Sequence, residues 1–231
     1  MLLGIESANV EIGTYKNKIG CMSYNLLKNK EELIEGINLI NLKYPHYDPD
    51  KLYETEKKEY YSLEMILNSL QLKDMSGLEE EFIRVMFLDY FIGNTDRHQN
   101  NWGVIKKNGV ITGIAPIYDN GSSLCSYIKE EKIEEFLGKD QLKFKALVDT
   151  KSTSRIRIDK YNKKEPTHLE VVKYLKENYK KEFDKNLRNL NEKANREAIE
   201  KIIDDIEEIS EKRKELIKRY MNAKKQLINN I

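Results

Sequence analysis

The residues best suited to chemistry lie in the stretch GNTDRHQNN, which contains Asp96 and Asn101, and in the triplet DNG that begins at Asp119. A carboxylate can act as a general base, and carboxylate and amide oxygens are hard ligands that suit Mg²⁺. Phosphoryl-transfer sites combine one such base with an Asn and an Asp that hold the metal. The spacing therefore predicts Asp96 as a catalytic base, Asn101 as a catalytic-loop metal ligand and Asp119 as the second ligand.

The segment between these residues predicts how they come together. WGVI, KKNG and VI follow Asn101 in the pattern of a strand, a turn and a second strand. Such a hairpin would fold Asp119 back beside Asn101. The alternative interpretation is a polar loop that caps a helix, with Asp119 in an ordinary turn, because D-x-x-x-x-N and D-x-G are each common. The complete string, with an apolar helix before it and P-x-Y-D-x-G after it, is much rarer.

These motifs resemble the C-terminal lobe of HipA-like serine/threonine kinases, the kinase toxins of bacterial toxin–antitoxin pairs and their relatives. The D-R-H-x-x-N core is also similar to that of phosphatidylinositol kinases. The resemblance implies an α+β fold, mainly helical, with a protein-kinase-like large lobe and a truncated β remnant of the small lobe. It implies ATP and Mg²⁺ as cofactors, Asp96 as the base, and Asn101 and Asp119 as Mg²⁺ ligands.

The resemblance also implies a division of the chain. Residues 1–28 would form the small-lobe strand remnant and the hinge, and residues 29–231 the helical large lobe. Within the large lobe we expect the catalytic loop at 93–101, the metal-binding turn at 119–121 and C-terminal helices across 167–231.

The cofactor side is predicted from the hinge and the catalytic loop. Kinase hinges offer backbone donors and acceptors to adenine, which makes Met22, Ser23 and Tyr24 candidates, although an ordinary hairpin is an equal alternative. His98 is a further candidate for the cofactor side. Its favoured role is to make hydrogen bonds that shape its own loop.

The sequence departs from the family in its phosphate-binding segment. In the family, an earlier segment supplies a loop that covers the ATP phosphates and a strand lysine that pairs with them. The 231 residues contain no G-x-G, and residues 1–5 resemble the end of the helix that follows that lysine strand. We therefore expect the front half of the small lobe to be absent from this sequence. We expect the sequence to be a fragment, or half of an enzyme that another chain completes, or a non-catalytic remnant. The leading function is transfer of the ATP γ-phosphate to a protein serine or threonine. The alternatives are a silent module that binds a complementing chain or an antitoxin, and a lipid or small-molecule kinase.

The charge balance and the cysteine count indicate which partners and which cellular location to expect. Forty basic and 39 acidic residues give a net charge of +1, which argues against direct nucleic-acid binding. Cys21 and Cys125 are the two cysteines of the chain, which favours a reducing cytoplasm. No apolar run is long enough to suggest a membrane span.

Periodicity predicts the elements around the site. A hairpin is expected over 8–24, and helices are expected over 29–42, 56–72 and 79–91. The last of these is apolar nearly all round and should be buried, including Phe87 and Leu88. Thr167 and Glu170 form a capping box, and the amphipathic tail from 191 to 229 should pack back on the large lobe.

Overall fold

The structure is a computed structural model that describes residues 4–49, 59–71 and 77–231. Its first sheet is a hairpin of β1 (Val10–Tyr15) and β2 (Lys18–Ser23). Lys16 and Asn17 turn the chain with φ of 49° and 62°, the left-handed pair that suits a tight hairpin. The hairpin prediction for 8–24 is confirmed.

The second sheet consists of β3 (Glu31–Glu35), β4 (Gly103–Lys107) and β5 (Val110–Ile114), in the order β3-β4-β5. The helix predicted over 29–42 is therefore wrong in its first half, and α1 (Gly36–Lys43) begins later. The physical reason is that β3 runs antiparallel to β4, so its backbone groups pair across the strands instead of along a helix. The Glu31 carboxylate accepts from the backbone N–H of Lys28 at 2.8 Å, a local turn rather than a helix cap.

The central helix α3 (Leu78–Ile92) confirms the prediction of a buried helix before the catalytic loop. Phe87 is 2% exposed, and Gly93 ends the helix with φ of 66°. Leu88 is only partly buried, so the expectation that it is inaccessible is wrong. The reason is that Leu88 lies one turn after the partly exposed Arg84, on a face of α3 that reaches the surface.

The helix predicted over 56–72 is shorter in the structure. α2 (Leu63–Leu70) begins after Ser62, whose Oγ accepts from the N–H of Met65 at 3.3 Å. Residues 59–62 are extended instead, because the N–H of Tyr60 donates to the carbonyl of Lys160 at 2.6 Å. The first part of the predicted helix, 56–58, lies outside the described residues.

The remaining helices lie in the C-terminal half of the chain. They are α4 (Glu134–Leu137), α5 (Gln141–Val148), α6 (His168–Asn178), α7 (Lys180–Lys193), α8 (Arg196–Asp204) and α9 (Glu211–Asn229). The Thr167–Glu170 capping box is present at α6, as predicted. The main core centres on α3, with α6, α7 and α9 packed against it. The predicted mainly helical α+β class and the packing of the tail are confirmed.

Within the described part of the chain, none of the helices is both apolar enough and long enough to cross a bilayer.

Candidate active site

The catalytic-loop segment starts where α3 ends. Asn94 is fully buried and is held by both ends of its amide: Nδ2 donates to the Asp89 carboxylate at 3.1 Å, and Oδ1 accepts from the N–H of Asp96 at 3.2 Å. Asp96 itself is partly exposed. The helix end therefore fixes the backbone of Asp96 while its side chain stays accessible.

Asn101 lies in the same loop as Asp96 and is tied to it. Its Nδ2 donates to the backbone carbonyl of Asp96 at 2.9 Å, and its side chain is buried. The turn between them is closed by N–H donation from His98 to Asp96 and from Asn101 to His98, both at 2.9 Å. Because Nδ2 is used inside the loop, Oδ1 is the amide atom left to face a ligand.

Arg97 joins the loop to the surrounding elements, and sequence reasoning missed this residue. Its guanidinium, 1% exposed, donates to both oxygens of Asp89 at 2.7 and 3.0 Å and to the carbonyl of Asn101 at 2.8 Å. Burial opposes the charge, but the Asp89 carboxylate offsets this and raises the pKa of Arg97 above its usual value. The available signal was Asp89, an acid inside an apolar helix that needs a buried cation.

The same guanidinium reaches the segment that carries Asp119. It donates to the carbonyl of Tyr118 at 3.1 Å and to Oδ1 of Asn120 at 2.6 Å, so both neighbours of Asp119 are held. Asp119 is exposed and has φ of 49°. The loop that contains Asp96 and Asn101 and the turn that contains Asp119 are thus fastened to one buried side chain.

The β4–β5 hairpin returns the chain to the loop as the sequence predicted. Close to this junction, the Tyr118 hydroxyl donates to the carbonyl of Asn100 at 2.8 Å. His98 is partly buried, and its Nδ1 accepts from the N–H of Asn100 at 3.2 Å. His98 therefore makes the loop-shaping hydrogen bond that was its favoured role.

The adenine-side candidates lie at the end of the β1–β2 hairpin. Met22 and Ser23 are exposed residues of β2, and Tyr24 follows them with 55% of its surface exposed. A cavity of about 520 Å³ opens near them, between residues 6–9, the segment that contains Asn25 and Lys28, and the β4–β5 hairpin. Met22, Ser23 and Tyr24 do not line it, and neither do Asp96, Asn101 and Asp119.

The candidate metal ligands of this site suit Mg²⁺ better than they suit a metal ion that is coordinated by protein side chains alone. Asn101 and Asp119 offer one amide oxygen and one carboxylate. Within the described residues, no group of three or more His, Cys, Asp or Glu side chains could hold a metal ion. Mg²⁺ accepts so sparse a protein shell because it keeps waters and takes oxygens from a substrate's phosphates.

Comparison with known proteins agrees with this architecture. Over 129 residues the chain is 30% identical to the serine/threonine-protein kinase CtkA of Helicobacter pylori, an alignment that covers 53% of this chain and 36% of that protein. The crystal structure of a Helicobacter pylori proinflammatory kinase CtkA superposes with a TM-score of 0.80 and 24% identity, covering 99% of this chain and 80% of the other. The fold is therefore similar to that of this kinase.

A family model described as the HipA-like C-terminal domain matches residues 39–213, which is more than half of the 231 residues. The matched range includes α3, the catalytic-loop segment and the turn at Asp119. This chain belongs to the HipA-like C-terminal domain family.

Proposed function

We propose that this chain is the large lobe of an ATP-dependent protein serine/threonine kinase. The observation that carries the proposal is the buried Arg97, whose hydrogen bonds fasten the loop of Asp96 and Asn101 to the turn of Asp119. Phosphoryl transfer depends on positioning and on neutralising charge, so a rigid link between base and metal ligands is what this chemistry requires. The serine/threonine kinase name of the 30% identical relative supports the same class of reaction.

In the proposed mechanism each residue has a separate role. Asp96 accepts the proton of the substrate hydroxyl as the hydroxyl oxygen attacks the γ-phosphorus and ADP leaves. Oδ1 of Asn101 and the carboxylate of Asp119 would hold the cation. Mg²⁺–ATP, when bound, supplies the phosphoryl group and the charge that neutralises it. Met22, Ser23 and Tyr24, with His98, are our candidates for the cofactor side.

The proposal includes a division of labour along the chain. Residues 1–28 contribute the small-lobe strands and hinge, and residues 29–231 contribute the catalytic lobe. We expect a further phosphate-binding segment to take part, because these residues contain no glycine-rich G-x-G loop. We also propose a cytoplasmic location, which the two unpaired cysteines support.

A second candidate function is a module that works by binding a complementing chain or an antitoxin. The observation that favours it is the β1–β2 hairpin, in which Ile12, Ile19 and Met22 are 49%, 76% and 56% exposed. A lone two-stranded hairpin with apolar side chains in water is marginal and gains stability from a partner strand or surface.

The acceptor class can be tested directly. ATP labelled in its γ-phosphate should be offered to a mixed protein substrate, and in parallel to phosphatidylinositol vesicles, with a glycine-rich phosphate-binding segment supplied in both arms. The proposal expects label on serine or threonine of protein and none on lipid. Label on lipid alone would replace the protein-kinase proposal with a lipid kinase, and no label in either arm would favour the binding module.

A further inference from the structure

A buried chain of hydrogen bonds connects the C-terminal helix α9 to the catalytic-loop segment. Lys224 on α9 donates from Nζ to Oγ of Ser152 at 2.8 Å. That Oγ lies 2.9 Å from Nδ1 of His168, and Nε2 of His168 lies 2.9 Å from the backbone carbonyl of Asn94. Ser152, His168 and Lys224 are all 2% exposed or less.

The Asn94 carbonyl, at one end of this series of hydrogen bonds, fixes which group donates in each of them. The Asn94 carbonyl can only accept, so Nε2 of His168 must carry a proton and donate it. Burial, with the nearby Lys224 charge, lowers the pKa of His168 to about 3, so the ring is neutral and Nδ1 is an acceptor. Ser152 therefore donates to His168, and its lone pairs accept from Lys224 and from the Tyr220 hydroxyl at 3.1 Å.

Asn94 connects this series of hydrogen bonds to Asp96. Its carbonyl receives the His168 proton, and its own side chain holds the N–H of Asp96 at 3.2 Å. Next to it, Gly93 has φ of 66°, and the Tyr220 hydroxyl from α9 occupies the space that a Cβ on Gly93 would fill. Two residues of α9, Lys224 and Tyr220, thus fix the backbone that leads into Asp96.

Lys224 sits at this position at an energetic disadvantage. It is 0% exposed, and within the described residues none of its ion pairs or hydrogen bonds involves a carboxylate. Its ammonium lies 4.5 Å from the ring centre of Tyr90, whose hydroxyl donates to the carbonyl of Lys224 at 2.7 Å. Burial lowers the pKa of Lys224 to about 7, against the opposing effect of the Asp149 carboxylate. Burying this amine costs free energy, so its position calls for a role other than stability.

We propose that Lys224, Ser152 and His168 are positioning residues through which helix α9 holds Asp96 in place for phosphoryl transfer. The role rests on the proposed kinase function. None of the three touches the reacting atoms; they act through Asn94.

The test compares Lys224→Met with Lys225→Met. Met keeps the length and apolar stem of lysine but removes its donor. Lys225 is the next residue of α9, and it donates instead to the carbonyls of Asn191 and Ala194. With a glycine-rich phosphate-binding segment supplied, we expect kcat of Lys224→Met to fall by about 10-fold to 100-fold with KM for ATP within about 2-fold, because misplacement of Asp96 affects the chemical step. The urea midpoint should stay unchanged or rise, and Lys225→Met should keep the kcat of the wild type.

A readout independent of activity separates this proposal from the kinase function. Amide hydrogen exchange of residues 93–101 should be about 10-fold faster in Lys224→Met than in the wild type, and unchanged in Lys225→Met. Ser152→Ala should repeat the effect, and the double variant should add little to it. Faster exchange in a protein whose wild type transfers no phosphate, even with the phosphate-binding segment supplied, would uphold the link and reject the kinase function. Unchanged exchange, or a lower urea midpoint with unchanged kcat, would overturn the positioning role.

Discussion

The guanidinium of Arg97 grips the carboxylate of Asp89 with two hydrogen bonds, at 2.7 and 3.0 Å, and both side chains are 1% exposed. Replacing Arg97 by Met leaves Asp89 buried without its cation. Removing one partner of a buried ion pair typically costs about 3–5 kcal/mol, so we expect Arg97→Met to lower the free energy of unfolding by that amount. Urea unfolding measures it.

The matched control is Arg155→Met, because Arg155 is 53% exposed and pairs with Glu165 at 3.7 Å. An exposed pair of this kind should change stability by less than about 1 kcal/mol. If the two variants lose equal stability, Arg97 is not the structural link described here.

Packing of α3 gives the second prediction. Phe87 is 2% exposed and meets Phe183 edge to face, with ring centres 5.2 Å apart. Phe87→Ala should cost about 3–5 kcal/mol through the cavity it leaves. Leu88→Ala on the same helix should cost clearly less, since Leu88 is partly exposed. Thermal or urea unfolding of the two variants measures this difference. An equal loss of stability at both positions would contradict the burial of α3.

His168 gives a prediction about acid. Burial lowers its pKa from 6.5 to about 3. Between pH 6.5 and about 3, His168 therefore binds a proton in the unfolded chain but not in the folded chain. The free energy of unfolding falls as the pH falls through this window. We expect His168→Gln to flatten this part of the stability curve, as measured by urea unfolding at several pH values. A variant whose stability falls as steeply as the wild type would show that His168 does not stay neutral in the fold.

The metal ligands are tested by calorimetry. If Asn101 and Asp119 hold the cation, Mg²⁺–ATP should bind more tightly than ATP alone, and Asp119→Asn should remove the difference. Asp205→Asn is the matched control, since Asp205 is an exposed acid at the end of α8. Equal affinities with and without Mg²⁺ in the wild type would refute the assignment.

The sequence predicted local features well and distant contacts poorly. The Lys16-Asn17 turn, the Gly93 cap and the apolar α3 all follow from residue types within a few positions. β3 was mistaken for the start of a helix because its partner β4 lies about seventy residues away, and short apolar runs suit either state.

The chemistry of the site shows the same limit. The spacing of Asp96, Asn101 and Asp119 could be read directly along the chain. The supporting contacts could not, because Lys224 meets Ser152 across 72 positions and Arg97 meets Asn120 across 23. Such contacts depend on tertiary packing, which no local pattern encodes.

The most direct test of the account separates phosphate transfer from ATP binding at Asp96. Transfer of labelled γ-phosphate to protein serine or threonine should be measured with a glycine-rich phosphate-binding segment supplied, for the wild type, Asp96→Asn and the control Asp205→Asn. We predict transfer by the wild type and the control, and a loss of about 100-fold or more in Asp96→Asn with unchanged affinity for Mg²⁺–ATP, because Asp96 acts as the base. Transfer by Asp96→Asn at the rate of the wild type would contradict the account.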